Sequence, residues 1–225
     1  MRVLVPELLD SLAADDPRAM RSRRDLVRIN AVMMQHRIMA RALAGLPCPR
    51  LLADLGGGDG RFLLGVARRL KSWQGVRAVI LDRQAIVSPN TRDAFQALGW
   101  SCEVMQGDIF ETLPHLSPDI VTANLFLHHL ENVELIQLLG SVAGRAPGFV
   151  ACEPRRSAFA LLGARLVFAL GANDVSRHDA LASVRAGFAG AELSSLWPKS
   201  PGGTVHERSV FPFTHLFVAE QRHAS

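Results

Sequence analysis

The chain of 225 residues contains no tyrosine, three cysteines and only two lysines. Cys48, Cys102 and Cys152 form neither a CxxC pair nor an even set, so we predict free thiols in a reducing compartment. Arginine supplies nearly all of the positive charge, and the net charge is only +4. We interpret the one basic cluster, residues 18–41, as a solvated helix face, with an acidic or membrane-surface partner as the alternative. A nucleic-acid partner is not expected.

Long apolar segments are also missing. The first residues lack the apolar core of a signal peptide, and the longest apolar stretch, residues 158–172, is too short to cross a bilayer and contains Arg165. Hydrophobic residues make up 48% of the chain and charged residues 20%, a balance that is typical of a globular protein. We therefore expect a single compact, cytoplasmic protein.

The most informative stretch is a glycine-rich turn that follows a short apolar run, residues 51–55. Asp54 precedes the glycines at positions 56, 57, 58 and 60. Glycine lets the backbone turn tightly and approach a ligand closely, and the amides that open the next helix are hydrogen-bond donors. The dinucleotide pattern G-x-G-x-x-G is not met, because position 61 is arginine. Together with the missing tyrosine, this opposes a nicotinamide-dependent reductase.

The D-x-G-x-G-x-G string resembles the first motif of the class I S-adenosylmethionine-dependent methyltransferases. The resemblance implies that Gly56, Gly57 and Gly58 cradle the amino-acid end of the cofactor, with the acidic Asp54 close to it. A carboxylate at this position suits a cationic group better than a pyrophosphate. A glycine-rich loop with only a structural role is the alternative.

The rest of the chain alternates apolar strands with helices, which predicts a Rossmann-like, doubly wound, mostly parallel α/β sheet. Strands are expected at residues 51–55, 76–82, 102–106, 119–123 and 149–152, with helices between them. Two further strands, 204–210 and 215–219, match the antiparallel C-terminal hairpin usual in seven-stranded methyltransferase sheets. We predict a helical cap at residues 1–48 over the active site and a methyltransferase domain at residues 49–225.

Ligands of such sheets bind beyond the carboxyl ends of the strands. Asp82 ends the second strand, where its carboxylate can accept two hydrogen bonds from a ribose diol. Asp108 can accept from an adenine amino group, while Ile109 packs on the ring. The complete set of predicted cofactor residues is Asp54, Gly56, Gly57, Gly58, Asp82, Arg83, Asp108, Ile109, Asn124 and Leu125.

Histidines supply the candidate bases. His128 and His129 open the helix after the fourth strand, and a neutral imidazole there can deprotonate a phenol during methyl transfer. Because neighbouring side chains on a helix diverge, we expect at most one of the two to face the site. His178 is the third candidate. No metal-ligand spacing surrounds these residues, so no metal is predicted. Packing or capping histidines are the alternative.

Several segments resemble bacterial small-molecule methyltransferases that are associated with type III polyketide synthases. These segments are residues 6–10, 25–30, 124–130, 183–188 and 192–193. In such enzymes the N-terminal helix covers the substrate, so we predict Arg28 and Met33 as acceptor-binding residues. A polar stretch, residues 171–179, lies where these enzymes insert a lid, and Arg177 and His178 are predicted to bind the acceptor there. The alternative is a helix N-terminus capped by Ser176.

We therefore predict an S-adenosylmethionine-dependent methyltransferase of a small phenolic or quinone-like acceptor, with O-methylation favoured over C-methylation. A nucleic-acid methyltransferase would need an Asn-Pro-Pro-aromatic sequence, but Leu125 and Phe126 follow Asn124. A non-catalytic protein that retains the cofactor fold is the alternative. Neither the identity of the acceptor nor the oligomeric state follows from the sequence.

Overall fold

The computed structural model describes residues 2–13, 15–166 and 173–221. Seven strands form one sheet in the order β3-β2-β1-β4-β5-β7-β6. The strands are β1 (Leu51–Leu55), β2 (Arg77–Asp82), β3 (Ser101–Gln106), β4 (Ile120–Asn124), β5 (Gly148–Pro154), β6 (Thr204–Val210) and β7 (Thr214–Glu220). The helices are α1 (Leu8–Ser11), α2 (Pro17–Val32), α3 (Gln35–Leu43), α4 (Arg61–Ala67), α5 (Pro89–Gln96), α6 (Ile109–Thr112), α7 (Asn132–Ala143), α8 (Ala158–Leu166), α9 (Asp174–Ala186) and α10 (Glu192–Leu196).

Strands β1 to β5 are parallel, and β7 and β6 add an antiparallel hairpin beside β5. This arrangement confirms the predicted fold, a doubly wound sheet with an antiparallel C-terminal edge. The strand order reverses between β1 and β4, because β2 lies on one side of β1 and β4 on the other. In open α/β sheets, ligands bind at the carboxyl ends of the strands on either side of such a reversal.

Apolar residues bury both faces of the parallel strands. Successive side chains point to opposite faces, so Leu52 packs under α3 and α4 while Ala53 and Leu55 face the layer that contains α7. Helix starts are also defined locally. Ser88 caps α5 by accepting a hydrogen bond from Thr91 N at 3.2 Å, as expected at a helix N-terminus.

The N-terminal helices have two different positions. Helix α2 lies over the carboxyl edge of the sheet: Arg23 Nη2 donates to Gln84 Oε1 at 3.1 Å, just beyond β2, and Asn30 meets Asn124 at the end of β4. Helix α3, the last helix of the predicted cap, packs on the sheet through a buried face that carries Met39 and Leu43. The segment over the edge is therefore α2. The division into a cap and a methyltransferase domain remains a prediction.

Helix α9 forms most of the predicted lid. Its N-cap is Asn173, whose side chain accepts from Ser176 N at 2.8 Å, so the alternative that Ser176 caps the helix is wrong. Ser176 lies inside the first turn, where its hydroxyl donates to Asp25 Oδ2 on α2 at 3.0 Å. Gly171 and Ala172 lie outside the described residues. Within the described ranges, no helix has both the length and the apolar character that crossing a bilayer requires.

Candidate active site

The glycine-rich turn connects β1 to α4 at the carboxyl edge. Gly56, Gly58 and Gly60 have φ values of 62°, 55° and 74°, a region that side-chain-bearing residues rarely adopt. A Cβ at Gly56 would collide with the ring of Phe126, whereas a Cβ at Gly58 would meet no atom within 4 Å. Gly56 thus allows close packing with the loop after β4, and Gly58 faces open space.

Asp54 lies beneath this turn and is only 2% exposed. An added Cβ at Gly57 would lie 2.6 Å from its Oδ2, so this glycine leaves room for the carboxylate. Burial raises the pKa of Asp54 to about 7; a hydrogen bond from Thr122 Oγ1, 2.7 Å from Oδ1, opposes the rise, and the charge of Asp82 adds to it. A cation bound nearby would stabilise the ionised carboxylate, which fits the amino-acid end of the implied cofactor.

We expect S-adenosylhomocysteine, the demethylated cofactor, to bind less tightly as the pH falls below 7. A nearby ammonium lowers the pKa of Asp54 in the complex, so binding is linked to loss of its proton. The affinity should fall by up to about tenfold per pH unit between the pKa values of the free and bound states. Calorimetry at pH 6, 7 and 8 measures this. Asp54→Asn should abolish the dependence, whereas Asp59→Asn, in the same turn, should retain it. An unchanged slope in Asp54→Asn contradicts the prediction.

Asp82 ties the glycine turn to the end of β2. Its Oδ2 accepts from Gly58 N at 2.9 Å and its Oδ1 accepts from Gln84 N at 2.8 Å. Each carboxylate oxygen has a second lone pair, so Asp82 can still accept hydrogen bonds from a diol. The carboxylate is therefore fixed in position while retaining acceptor capacity.

Asp108 caps α6 after β3. It accepts from Phe110 N at 2.9 Å and from Arg83 Nη2 at 2.8 Å, and these two bonds lower its pKa. Arg83 and Asp108 thus link the ends of β2 and β3. Ile109 is buried in the core, and Phe110 is the half-buried apolar residue beside it. The proposed contact of Ile109 with a nucleobase remains a prediction.

The residues that end β4 have unusual local features. Asn124 Nδ2 lies 3.5 Å from Asn30 Oδ1, but Asn124 Oδ1 is buried without a hydrogen-bond partner. Leu125 has a φ of 53° and donates from its backbone N to Cys152 O at 2.9 Å. The left-handed conformation at Leu125 turns the chain back over Gly56.

Glu153, which the sequence analysis missed, organises the loop after β4. This fully buried carboxylate accepts from three backbone amides, those of Phe126, Leu127 and His128, at 3.0, 2.8 and 3.3 Å. It is also 2.7 Å from His128 Nδ1. Burial would raise the pKa of Glu153, but the bonds from His128 and the backbone lower it below its usual value. The only sequence signal is an acidic residue inside an apolar strand, residues 148–154.

Both adjacent histidines lie close to Glu7, and the expectation that at most one of them faces the acceptor remains a prediction. His128 Nε2 lies 3.4 Å from Glu7 Oε1 and His129 Nε2 lies 4.0 Å from Glu7 Oε2, with ring centroids 4.2 Å apart. They share a single 3-10 turn, residues 127–129, so the divergence expected along an α-helix does not apply. Burial would lower the pKa of His128, but bonds to Glu153 and Glu7 raise it to about 9. His128 is buried, and both of its ring nitrogens lie next to carboxylates, an arrangement that opposes its predicted role as a base; that role remains a prediction.

Glu7 reaches this loop from the N-terminal segment. Ser183 on α9 donates to its carboxylate, and Arg2 donates to Leu130 O at 2.9 Å. No local sequence signal could identify Glu7, because it lies 121 residues from His128. The candidate ligand atoms of Glu7, His128 and His129 lie within 4.8 Å of one another, close enough to share a metal ion. Two of these residues are already paired in a buried hydrogen-bond network, and the absence of a metal remains a prediction.

The predicted acceptor-binding residues have different surroundings. Arg28 is largely exposed and pairs with Asp25 at 3.5 Å, whereas Met33 is buried. Arg177 pairs with Asp174, one turn back on α9. His178 Nδ1 lies 3.1 Å from Asp179 Oδ1, and that carboxylate also accepts from the backbone amides of α1. Their roles toward an acceptor remain predictions.

The strand order and the glycine turn define the fold of the class I methyltransferases. An O-methyltransferase family protein from Burkholderia thailandensis superposes with a TM-score of 0.55 at 22% identity, over 94% of this chain and 62% of its own. The plantazolicin methyltransferase BpumL was solved with a monoazolic desmethylPZN analogue and S-adenosylhomocysteine. It superposes with a TM-score of 0.67 at 13% identity, over 96% of this chain and 95% of its own.

A relative by sequence is the mitomycin biosynthesis 6-O-methyltransferase of Streptomyces lavendulae. It is 29% identical over 92 residues, which cover 40% of this chain but only 25% of that protein. No protein-family profile matches the chain. The fold is therefore shared with the two solved methyltransferases. The chain spans a quarter of the curated relative that it matches and less than two thirds of the Burkholderia protein.

Proposed function

We propose that the chain is an S-adenosylmethionine-dependent methyltransferase of a small molecule. The observation that carries this proposal is that a buried carboxylate, Asp54, lies beneath a glycine turn that Asp82 holds in place. Both lie where the strand order reverses, and a bound cation would stabilise the charge of Asp54. The residues proposed to hold the cofactor are Asp54, Gly56, Gly57, Gly58, Asp82, Arg83, Asp108, Ile109, Asn124 and Leu125. The cofactor would supply an electrophilic methyl group on a sulfonium.

The proposed acceptor is phenolic or quinone-like, with transfer to oxygen. The names of the Streptomyces and Burkholderia relatives support O-methylation, because both specify O-methyltransferases. We also propose that a type III polyketide synthase makes the acceptor, and this part of the proposal rests on the sequence resemblance alone. A cytoplasmic location is proposed as well, and the three free cysteines support it.

The protein's main task in such a reaction is alignment, which can contribute on the order of 7 kcal/mol or more. We propose that His129 takes the proton from the acceptor hydroxyl and that Glu7 orients its ring. His129 is 28% exposed, whereas His128 is 2% exposed. His128 and Glu153 would then act as positioning residues that hold the loop. Arg28, Met33, Arg177 and His178 are proposed to line the acceptor side, and His178 is the second candidate base.

Replacing His129 with alanine should lower kcat for a phenolic acceptor by about 100-fold, the lower end of what a general base contributes. The binding of S-adenosylhomocysteine should stay within twofold, because His129 lies on the acceptor side. Product formation with a panel of phenols, followed by mass spectrometry, measures kcat. His115→Ala, which removes an exposed histidine that precedes the N-terminal end of β4, is the matched control.

Two results distinguish the competing functions. Binding of S-adenosylhomocysteine without any turnover across the panel would favour the non-catalytic alternative. An unchanged kcat in His129→Ala would instead transfer the role of base to His178, and the same assay of His178→Ala would then show the loss.

A further inference from the structure

Gln35 presents an unpaired polar group in the interior of the protein. Its side chain is fully buried, and neither Nε2 nor Oε1 has a hydrogen-bond partner. Nearly all buried polar groups in proteins are paired, so such a residue calls for a specific explanation. Asn124 Oδ1 is unpaired and buried in the same way.

Each of these two residues is next to a residue with a left-handed backbone conformation. Met34, directly before Gln35, and Leu125, directly after Asn124, both have a φ of 53°. Within the described ranges they are the two residues other than glycine with positive φ. Conformations of this kind cost about 1–3 kcal/mol and cluster at ligand-binding sites. Two independent elements therefore combine a left-handed backbone residue with a buried amide oxygen that accepts no hydrogen bond.

The fold places both amides at the carboxyl edge of the sheet, in the layer of α3. Gln35 and Leu43 share the buried face of α3, and the chain just after this helix meets the start of β5, where Leu46 would contact a Cβ at Gly148. The eight residues from Gln35 to Leu43 rise roughly 12 Å. The four residues from Gly148 to Cys152 rise about 13 Å along β5. Gln35 is therefore near the level of Cys152.

The strand register shows that Asp54 lies on the same sheet face as Asn124. Asn124 pairs with Cys152, and Thr122 pairs with Asp54 across β4 and β1. Residues in register on neighbouring strands point to the same face, and so do residues two apart along one strand. The side chains of Asp54, Thr122 and Asn124 therefore share the sheet face on which Gln35 packs.

We propose that Gln35 and Asn124 form a subsite for the zwitterionic α-amino-acid group of the cofactor; this inference rests on the proposed function. An α-amino acid needs acceptors and negative charge for its ammonium group and donors for its carboxylate. Asn124 Oδ1 and the Asp54 carboxylate can accept hydrogen bonds from the ammonium group. Gln35 Nε2 can donate to the carboxylate without adding net charge. The subsite would explain why Gln35 Nε2, Gln35 Oε1 and Asn124 Oδ1 are buried without partners.

The test compares two nucleosides that differ in this group alone. S-adenosylhomocysteine carries the α-amino-acid end, whereas 5′-methylthioadenosine lacks it. In the Gln35→Leu variant, the Kd for S-adenosylhomocysteine should rise about 10- to 100-fold, the effect of losing one hydrogen bond to a charged group. The Kd for 5′-methylthioadenosine should stay within twofold. Gln96→Leu, an exposed glutamine on α5, should change neither value.

The apo protein provides a second readout. Removal of an unpaired buried amide should leave the thermal midpoint of Gln35→Leu unchanged or raised, which a structural role for the amide would not allow. Gln35→Met serves as the second variant if Gln35→Leu does not fold. Equal weakening of both nucleosides, or of neither, would overturn the inference while leaving the proposed function intact. If the wild-type protein binds neither nucleoside, the proposed function itself fails.

Discussion

Replacing Asp82 with alanine is expected to weaken the binding of S-adenosylhomocysteine by about 100- to 10,000-fold. The carboxylate holds Gly58 through one backbone amide and Gln84 through another, and it retains lone pairs that can accept from both ribose hydroxyls. Hydrogen bonds to a charged group contribute about 1.5–3 kcal/mol each, so two of them account for this range. Calorimetry of the wild type and the variant at one pH measures the change.

Asp119 provides the matched control for this experiment. It also accepts from two backbone amides, those of Arg50 and Leu51 at 2.8 and 2.9 Å, but at the opposite end of β1. Asp119→Ala should therefore lower stability without changing the Kd for S-adenosylhomocysteine. If a folded Asp82→Ala variant binds within threefold of the wild type, Asp82 does not contact the cofactor and its role is confined to the turn.

Local patterns were sufficient to predict the sheet and the position of the strand ends. The strands β1, β2, β4 and β5 are mostly apolar, because strands covered by helices on both faces need no polar alternation. Parallel strands also bring their carboxyl ends to one edge, so the sequence alone assigns Asp54, Asp82, Asp108 and Asn124 to a common edge, and the strand order agrees.

The residues that the sequence could not reveal depend on contacts between distant segments. Glu7 meets His128 across 121 residues, and a single glutamate in an N-terminal segment carries no local mark of that contact. Gln35 occupies a buried position of α3 that normally holds an apolar side chain. In the sequence, however, a glutamine at the start of an amphipathic helix looks like an ordinary exposed residue. Glu153 was more accessible to prediction, because a charge within a buried strand requires a partner.

Replacing Glu153 with glutamine is expected to lower the free energy of unfolding by about 3–5 kcal/mol, the typical effect of removing one partner from a buried ion pair. The carboxylate accepts from three backbone amides and from His128, whereas a glutamine side chain has only one acceptor oxygen and turns two N–H donors toward the same groups. The control is Glu103→Gln, which breaks the exposed pair with Arg77 and should cost less than about 1 kcal/mol. Urea denaturation at pH 7 measures both effects.

The same pair should give the stability a defined pH dependence. The pKa of His128 is raised from 6.5 to about 9, so its contribution is complete below pH 6.5 and disappears as the pH rises through 9. The pKa of Glu153 is lowered, so its contribution is present above pH 4.5 and disappears as the pH falls through the folded-state pKa. Between pH 6.5 and 9.5 the wild type should therefore lose about 3 kcal/mol of stability relative to a Glu153→Gln/His128→Gln double variant. Parallel curves for the two proteins would show that His128 is neutral in the folded state, and the network would then hold the loop through neutral hydrogen bonds alone.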